Sequence, residues 1–121
     1  MITARHFSES EFKRLTPSCS LQDMKQECID MWDKVRDITG IPLIVNCGYR
    51  SVAWDLKKGR SGNSAHTRGY AMDIRCNADA TRMKIVKALI QVGCKRIGIY
   101  KTFIHADCDP KLTQNVIWYG L

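Results

Sequence analysis

The chain has 121 residues, 45% of them hydrophobic and 26% charged, with a formal net charge of +7. That length supports one domain, residues 1–121, with a real core, and no apolar run approaches the roughly 20 residues of a membrane-spanning helix. The excess of basic residues favours acidic partners, but no Lys/Arg block exceeds two residues and no nucleic-acid-binding motif is present, so nucleic acid is not expected among them.

In chain order, Met1-Ile2-Thr3-Ala4-Arg5-His6 lacks the apolar stretch of a secretory signal. Ser8-Glu9-Ser10-Glu11 pairs a capping serine with a glutamate three positions later, which predicts a short helix over about 9–14 with Phe7 and Phe12 as its staple. A longer helix is expected from Leu21 to Thr39, because Met24, Cys28, Met31, Trp32, Val35 and Ile38 recur at three- and four-residue steps and Gly40 can end it. Leu43-Ile44-Val45-Asn46-Cys47 reads as a buried strand running into the turn Gly48-Tyr49-Arg50-Ser51. Val52 to Lys58 fits a short helix, and the glycine- and serine-rich segment 58–64 fits an exposed, mobile loop.

Tyr70 to Cys76 alternates two faces, one apolar and one presenting Asp73, which predicts a strand. Ala78 to Val92 reads as an amphipathic helix with Met83, Val86, Leu89 and Ile90 turned inward. Lys95–Tyr100 and Phe103–Asp107 are expected to pair across a tight Lys101-Thr102 connection, with 115–119 as a final edge strand. Together these predict an α+β fold, a small, mostly antiparallel sheet with helices packed on one face.

The six cysteines are expected as reduced thiols, with Cys47 and Cys76 as small buried hydrophobes, and a cysteine-based metal site is not expected. The chemistry concentrates instead in Ser64-Ala65-His66-Thr67-Arg68-Gly69-Tyr70-Ala71-Met72-Asp73 and in Ile104-His105-Ala106-Asp107. His66, Asp73 and His105 can hold a zinc ion and leave its fourth position open for water. His105 and Asp107 share a strand face. The spacing equally allows a surface histidine at position 66 and a hydrogen-bonded core histidine at position 105. Trp54, Tyr70 and Trp118 are expected in the core, with a groove floor as the alternative, and Arg68 is expected to add only surface charge.

Gly48-Tyr49-Arg50-Ser51, Ser64-x-His66-x-x-Gly69-x-Ala71-x-Asp73 and His105-x-Asp107 resemble, in order and spacing, the zinc D-alanyl-D-alanine carboxypeptidase family, which shares its fold with the hedgehog signalling domain. The likeness is strongest to its compact single-domain members in phage lysis proteins and bacterial wall hydrolases, and it spans about residues 6 to 108. It implies one zinc ion held by His66, Asp73 and His105. It further implies substrate binding and polarisation by Arg50, and substrate binding by Ser64. Many members place an acid or histidine two or three residues before the last ligand, where this chain has Phe103 and Thr102. Asp107 is therefore expected as the general base, or else as the group that orients His105; Asp109 is a weaker substitute.

The function so implied is zinc-dependent hydrolysis of a peptide bond in peptidoglycan stem peptides, at a D-Ala–D-Ala, D,D-cross-link or L-Ala–D-Glu bond. A monomeric enzyme made in the cytoplasm and delivered to the wall by a holin or on a virion is expected. The alternative is a zinc-bearing wall-binding module of the same fold without catalysis.

Overall fold

In a computed structural model that describes residues 1–120, the hydrophobic stripes of two helices meet one face of a five-stranded sheet. The helices are α1 (Glu9–Lys13), α2 (Gln26–Thr39), α3 (Val52–Lys57) and α4 (Asp79–Gln91). The strands are β1 (Val45–Cys47), β2 (Ala71–Arg75), β3 (Arg96–Ile99), β4 (Phe103–Asp107) and β5 (Val116–Tyr119), ordered β1-β2-β4-β3-β5. All pairings are antiparallel except β3 with β5, which is parallel. This is the expected α+β architecture.

Register explains the division of labour between the two faces. Met72 lies opposite Ala106 and Ile74 opposite Ile104, and all four are buried beneath Cys28, Ile29, Trp32 and Val35 of α2 and Ile85, Ala88 and Leu89 of α4. Side chains alternate along a strand, so Asp73 opposite His105 and Ala71 opposite Asp107 belong to the other face. The same lateral rung continues outward, with Cys47 paired to Asp73, Gly98 to His105 and Trp118 to Gly98. One line of residues therefore crosses all five strands on the face away from the helices.

Several expectations are corrected. The helix expected from Leu21 divides into a 3₁₀ turn at Leu21–Asp23 and α2 proper. Ser20 caps that turn, Met24 turns extended, and the Lys25 N–H is drawn to the Gly69 carbonyl at 2.8 Å. A tertiary hydrogen bond thus interrupts a continuous apolar pattern. On α4 the buried stripe is Ile85, Ala88 and Leu89, whereas Met83 and Ile90 are 68% and 60% exposed, because the contact with α2 and the sheet falls on a neighbouring stripe. Ile38, at the end of α2, is likewise half-exposed. Phe7 and Phe12 are both buried, and the Ser8 N–H donates to Glu11 at 2.7 Å as the capping pattern predicts. The N-terminal segment is fastened by buried Asp33 of α2, which accepts from the Arg5 and His6 amides.

Candidate metal centre

Ligand-bearing side chains enter from three places. Asp73 and His105 project from adjacent central strands in direct register. His66 sits in a 3₁₀ turn, His66–Arg68, which Gly69 closes with φ 79°. Gly69 must be glycine for a second reason: a Cβ there would lie 2.5 Å from the Asp23 carbonyl oxygen. The turn that delivers His66 is thereby pressed against the segment leading into α2. It is not part of an exposed loop, and His66 is only 4% exposed.

Asp73 Oδ1 lies 3.2 Å from His66 Nε2 and 3.0 Å from His105 Nδ1. Tetrahedral zinc with bonds near 2.0–2.1 Å sets its ligand atoms about 3.3 Å apart, so each histidine by itself stands at ligand-pair spacing from Asp73. The far side of each ring is also engaged. His66 Nδ1 is 2.7 Å from the Gly48 carbonyl, to which it donates, leaving Nε2 as the ligand atom. His105 Nε2 is 2.6 Å from Asp107 Oδ2, leaving Nδ1 to face Asp73. Outer hydrogen bonds of this kind fix the tautomer and ring orientation of metal-binding histidines. Imidazole and carboxylate are both ordinary zinc ligands.

Electrostatics agree with a site built for a cation. Burial alone would push the His66 pKa down, but Asp73 and Cys47 beside it raise it to about 10. His105 is likewise raised above its ordinary value, with burial opposed by Asp107 and Asp73. Burial would raise the Asp73 carboxyl, but His105 and His66 hold it well below the usual carboxylate range. Asp107 is lowered in the same manner, by His105 first and with help from Arg96.

Asp107 is fully buried, and both of its oxygens are in use. Oδ2 faces His105, while Oδ1 accepts from Arg96 Nε at 2.8 Å and from the Asp109 amide at 3.1 Å. Asp109 is also fully buried and pairs with Arg68 at 2.6 Å, so Arg68 is a structural partner and not merely surface charge. Arg50 and Ser64 line the same groove as the three ligands, a cavity of about 480 Å³. The Arg50 amide donates to the His66 carbonyl at 3.2 Å, which ties the Gly-Tyr-Arg-Ser turn to the ligand turn.

Other residues beside the groove depart from their expected places. Cys47 is half-buried, not a core residue, with Sγ 3.7 Å from His66 Nδ1 and from Arg50 Nη1. Cys47, His66 and Asp73 each offer a donor atom within 4.8 Å of the others, so a thiol stands beside the cup despite the expectation that cysteine would take no part in one. His66 Nδ1, the atom nearest the thiol, is engaged by the Gly48 carbonyl, whereas His105 meets the cup through Asp73 Oδ1. Trp118 belongs to the groove and not the core: its ring lies 5.5 Å from His105 and 5.0 Å from the Arg96 guanidinium, and its N–H donates to the Tyr100 hydroxyl at 3.0 Å. Trp54 and Tyr70 are half-buried, each beside a lysine, outside the core. Tyr100 stacks on Phe103 at 4.4 Å, and both line the groove with Trp118. The alternation of β3 against β5 was the one signal available for Trp118, but their parallel pairing was not readable.

His66, Asp73 and His105 thus meet on the face of the sheet away from the helices, beside a groove lined by arginine and aromatic side chains. The Peptidase M15 family model matches residues 5–108, and the chain belongs to that family, zinc-dependent peptidases of the D-alanyl-D-alanine carboxypeptidase type whose substrate is peptidoglycan. No curated protein matches the chain. Among the described residues no helix is long and apolar enough to cross a membrane.

Proposed function

We propose that the protein hydrolyses a peptide bond in peptidoglycan stem peptides, with zinc held by His66 Nε2, Asp73 Oδ1 and His105 Nδ1. The observation that carries this reading is the shared Asp73 oxygen at tetrahedral ligand spacing from both histidines, within a groove that also contains Arg50 and Ser64. Bound zinc supplies Lewis acidity and a nucleophile effective near neutral pH. Arg50 offers its guanidinium to the substrate carbonyl, where negative charge develops in the transition state. Ser64 supplies a hydroxyl for substrate binding at the groove's edge, while Tyr100, Phe103 and Trp118 give the alanine methyls an apolar wall and reduce the water around the reacting bond.

Of the two roles expected for Asp107, orientation of His105 is the better supported. A carboxylate with no exposed surface and both oxygens engaged is poorly placed to take a proton from a substrate-side water, but well placed to hold the imidazole and increase its basicity. A compact wall hydrolase of the endolysin kind, acting as a monomer and delivered by a holin or on a virion, fits this activity and the basic surface.

The test is digestion of purified peptidoglycan by zinc-loaded protein, with and without chelator, followed by mass analysis of released muropeptides. Chelator-sensitive release of shortened or unlinked stems is expected, and the mass of the products identifies the bond. Wall binding without any cleavage would support the non-catalytic module instead.

A further inference from the structure

Three arginines line the groove: Arg96 is engaged by neighbouring acceptors, while Arg50 and Arg60 share one acid. Arg96 is tied into the fold, with Nε on Asp107, Nη1 on the Thr113 carbonyl at 2.6 Å and its guanidinium 5.0 Å from the Trp118 ring. Arg50 and Arg60 instead share a single acid, Asp55 of α3. Its side chain is 1% exposed, with Oδ1 2.9 Å from Arg50 Nε and 3.9 Å from Arg60 Nη1. Neither Asp55 oxygen receives a well-directed hydrogen bond, so it acts on the two guanidinium groups as a buried charge and leaves their outer N–H groups uncommitted. Among the described residues, the Arg60 side chain makes no hydrogen bond, and Arg50 donates only to the weak acceptor Cys47 Sγ.

The backbone fixes this arrangement. The Arg60 amide donates to the Asp55 carbonyl at 2.8 Å, and Gly59 and Gly62, with φ 80° and 74°, turn the chain on either side of Arg60 so that it lines the groove. One buried negative charge between two cations leaves a positive charge without a partner at the groove's edge. Planar guanidinium forks recognise carboxylates by paired hydrogen bonds.

We propose that Arg60, held beside Arg50 by Asp55, binds a carboxylate of the substrate, making Arg60 a specificity-determining residue and Asp55 a positioning residue for both arginines. This rests on the proposed action on stem peptides, which carry two carboxylates of the required kind: the chain terminus and the α-carboxylate of D-glutamate.

The test uses zinc-loaded protein and three synthetic stem peptides: the free acid, its C-terminal amide, and the form with D-isoglutamine in place of D-glutamate. Binding is followed by calorimetry, and kcat and KM by product release. Wild type is expected to bind one amide more weakly than the free acid, and the identity of that amide names the carboxylate. Arg60→Ala, at a half-exposed position that the fold tolerates, should weaken free-acid binding by about ten- to a hundredfold and erase the discrimination, with kcat little changed. Arg60→Lys should restore part of it.

Asp55→Asn should raise KM and also lower kcat, because Arg50 moves with it; a merely structural role would reduce the folded fraction and leave KM alone. Unchanged discrimination in Arg60→Ala, or equal binding of all three peptides by wild type, overturns the proposal even if cleavage proceeds. Discrimination lost in Arg60→Ala without cleavage by wild type would instead refute the peptidase reading and leave Arg60 as a carboxylate site. Absence of binding to every peptide overturns both.

Discussion

His66 and His105 are each engaged at both ring nitrogens, and for the proposed zinc ligands this gives protons a definite part in metal binding. With its pKa at about 10, His66 is protonated at neutral pH when no metal is present. Zinc requires the neutral imidazole. Loading at pH 7 should therefore release protons, and zinc affinity should rise between pH 7 and about 10. Calorimetry in buffers of different ionisation heat checks this, and uptake without proton release would count against His66 as a ligand. The sign for stability runs the other way. Because the folded pKa of His66 lies above its ordinary 6.5, its contribution in the metal-free protein is complete below that value and is lost as pH rises through about 10. Denaturant midpoints of metal-free protein should fall over that window. Asp107→Asn keeps the shape but exchanges a charged acceptor for an amide, and should weaken zinc binding by about ten- to a hundredfold with secondary structure intact. Unchanged zinc affinity with abolished turnover would return Asp107 to the role of base.

At the scale of elements, the turns and edges decide whether the cup assembles. Gly40 and Gly69 both adopt left-handed backbone, but only Gly69 meets another segment, the Asp23 carbonyl. Gly40→Ala should cost about 1–2 kcal/mol from backbone strain, and Gly69→Ala at least about 1 kcal/mol more from the collision. Paired denaturation curves separate the two terms, and Gly69→Ala should also weaken zinc binding because His66 stands on that turn. Gly98 is the corresponding device at the outer strand. A Cβ there would approach the Trp118 ring to 2.6 Å, so the bare backbone of β3 is what lets the indole of β5 reach toward His105. Gly98→Ala should cost about 1–3 kcal/mol and displace the aromatic wall, visible as a higher KM without loss of bound zinc.

For the molecule as a whole, the helices supply stability and the opposite sheet face supplies chemistry. Trp32, wholly buried between α2 and the sheet, is the largest core side chain. Trp32→Ala should cost about 3–5 kcal/mol, measured by denaturant titration, and take the metal site with it only through global unfolding. The net charge of +7 makes attraction to an acidic wall a long-range effect. Sedimentation with intact peptidoglycan should weaken as salt rises and the Debye length shrinks from about 10 Å at 0.1 M to about 3 Å at 1 M.

The two-residue period of Tyr70 to Cys76 and the His105-x-Asp107 pair were sufficient to read β2, β4 and the face carrying the site, because side-chain alternation is a local property of a strand. The ordered motifs around Arg50, His66 and Asp73 were likewise legible as a family resemblance, and the family match covers them. What the sequence left open depends on contacts between distant segments. The stripe of α4 that is buried, the break before α2, the parallel edge strand that brings Trp118 to the groove, and the capture of Asp107 by Arg96 all belong to tertiary structure. So does the sharing of Asp55 by Arg50 and Arg60. Local pattern determined which residues could act. Only packing decided which of their atoms remain free to do so, because each hydrogen bond or ion pair made within the fold withdraws a donor or acceptor from the substrate.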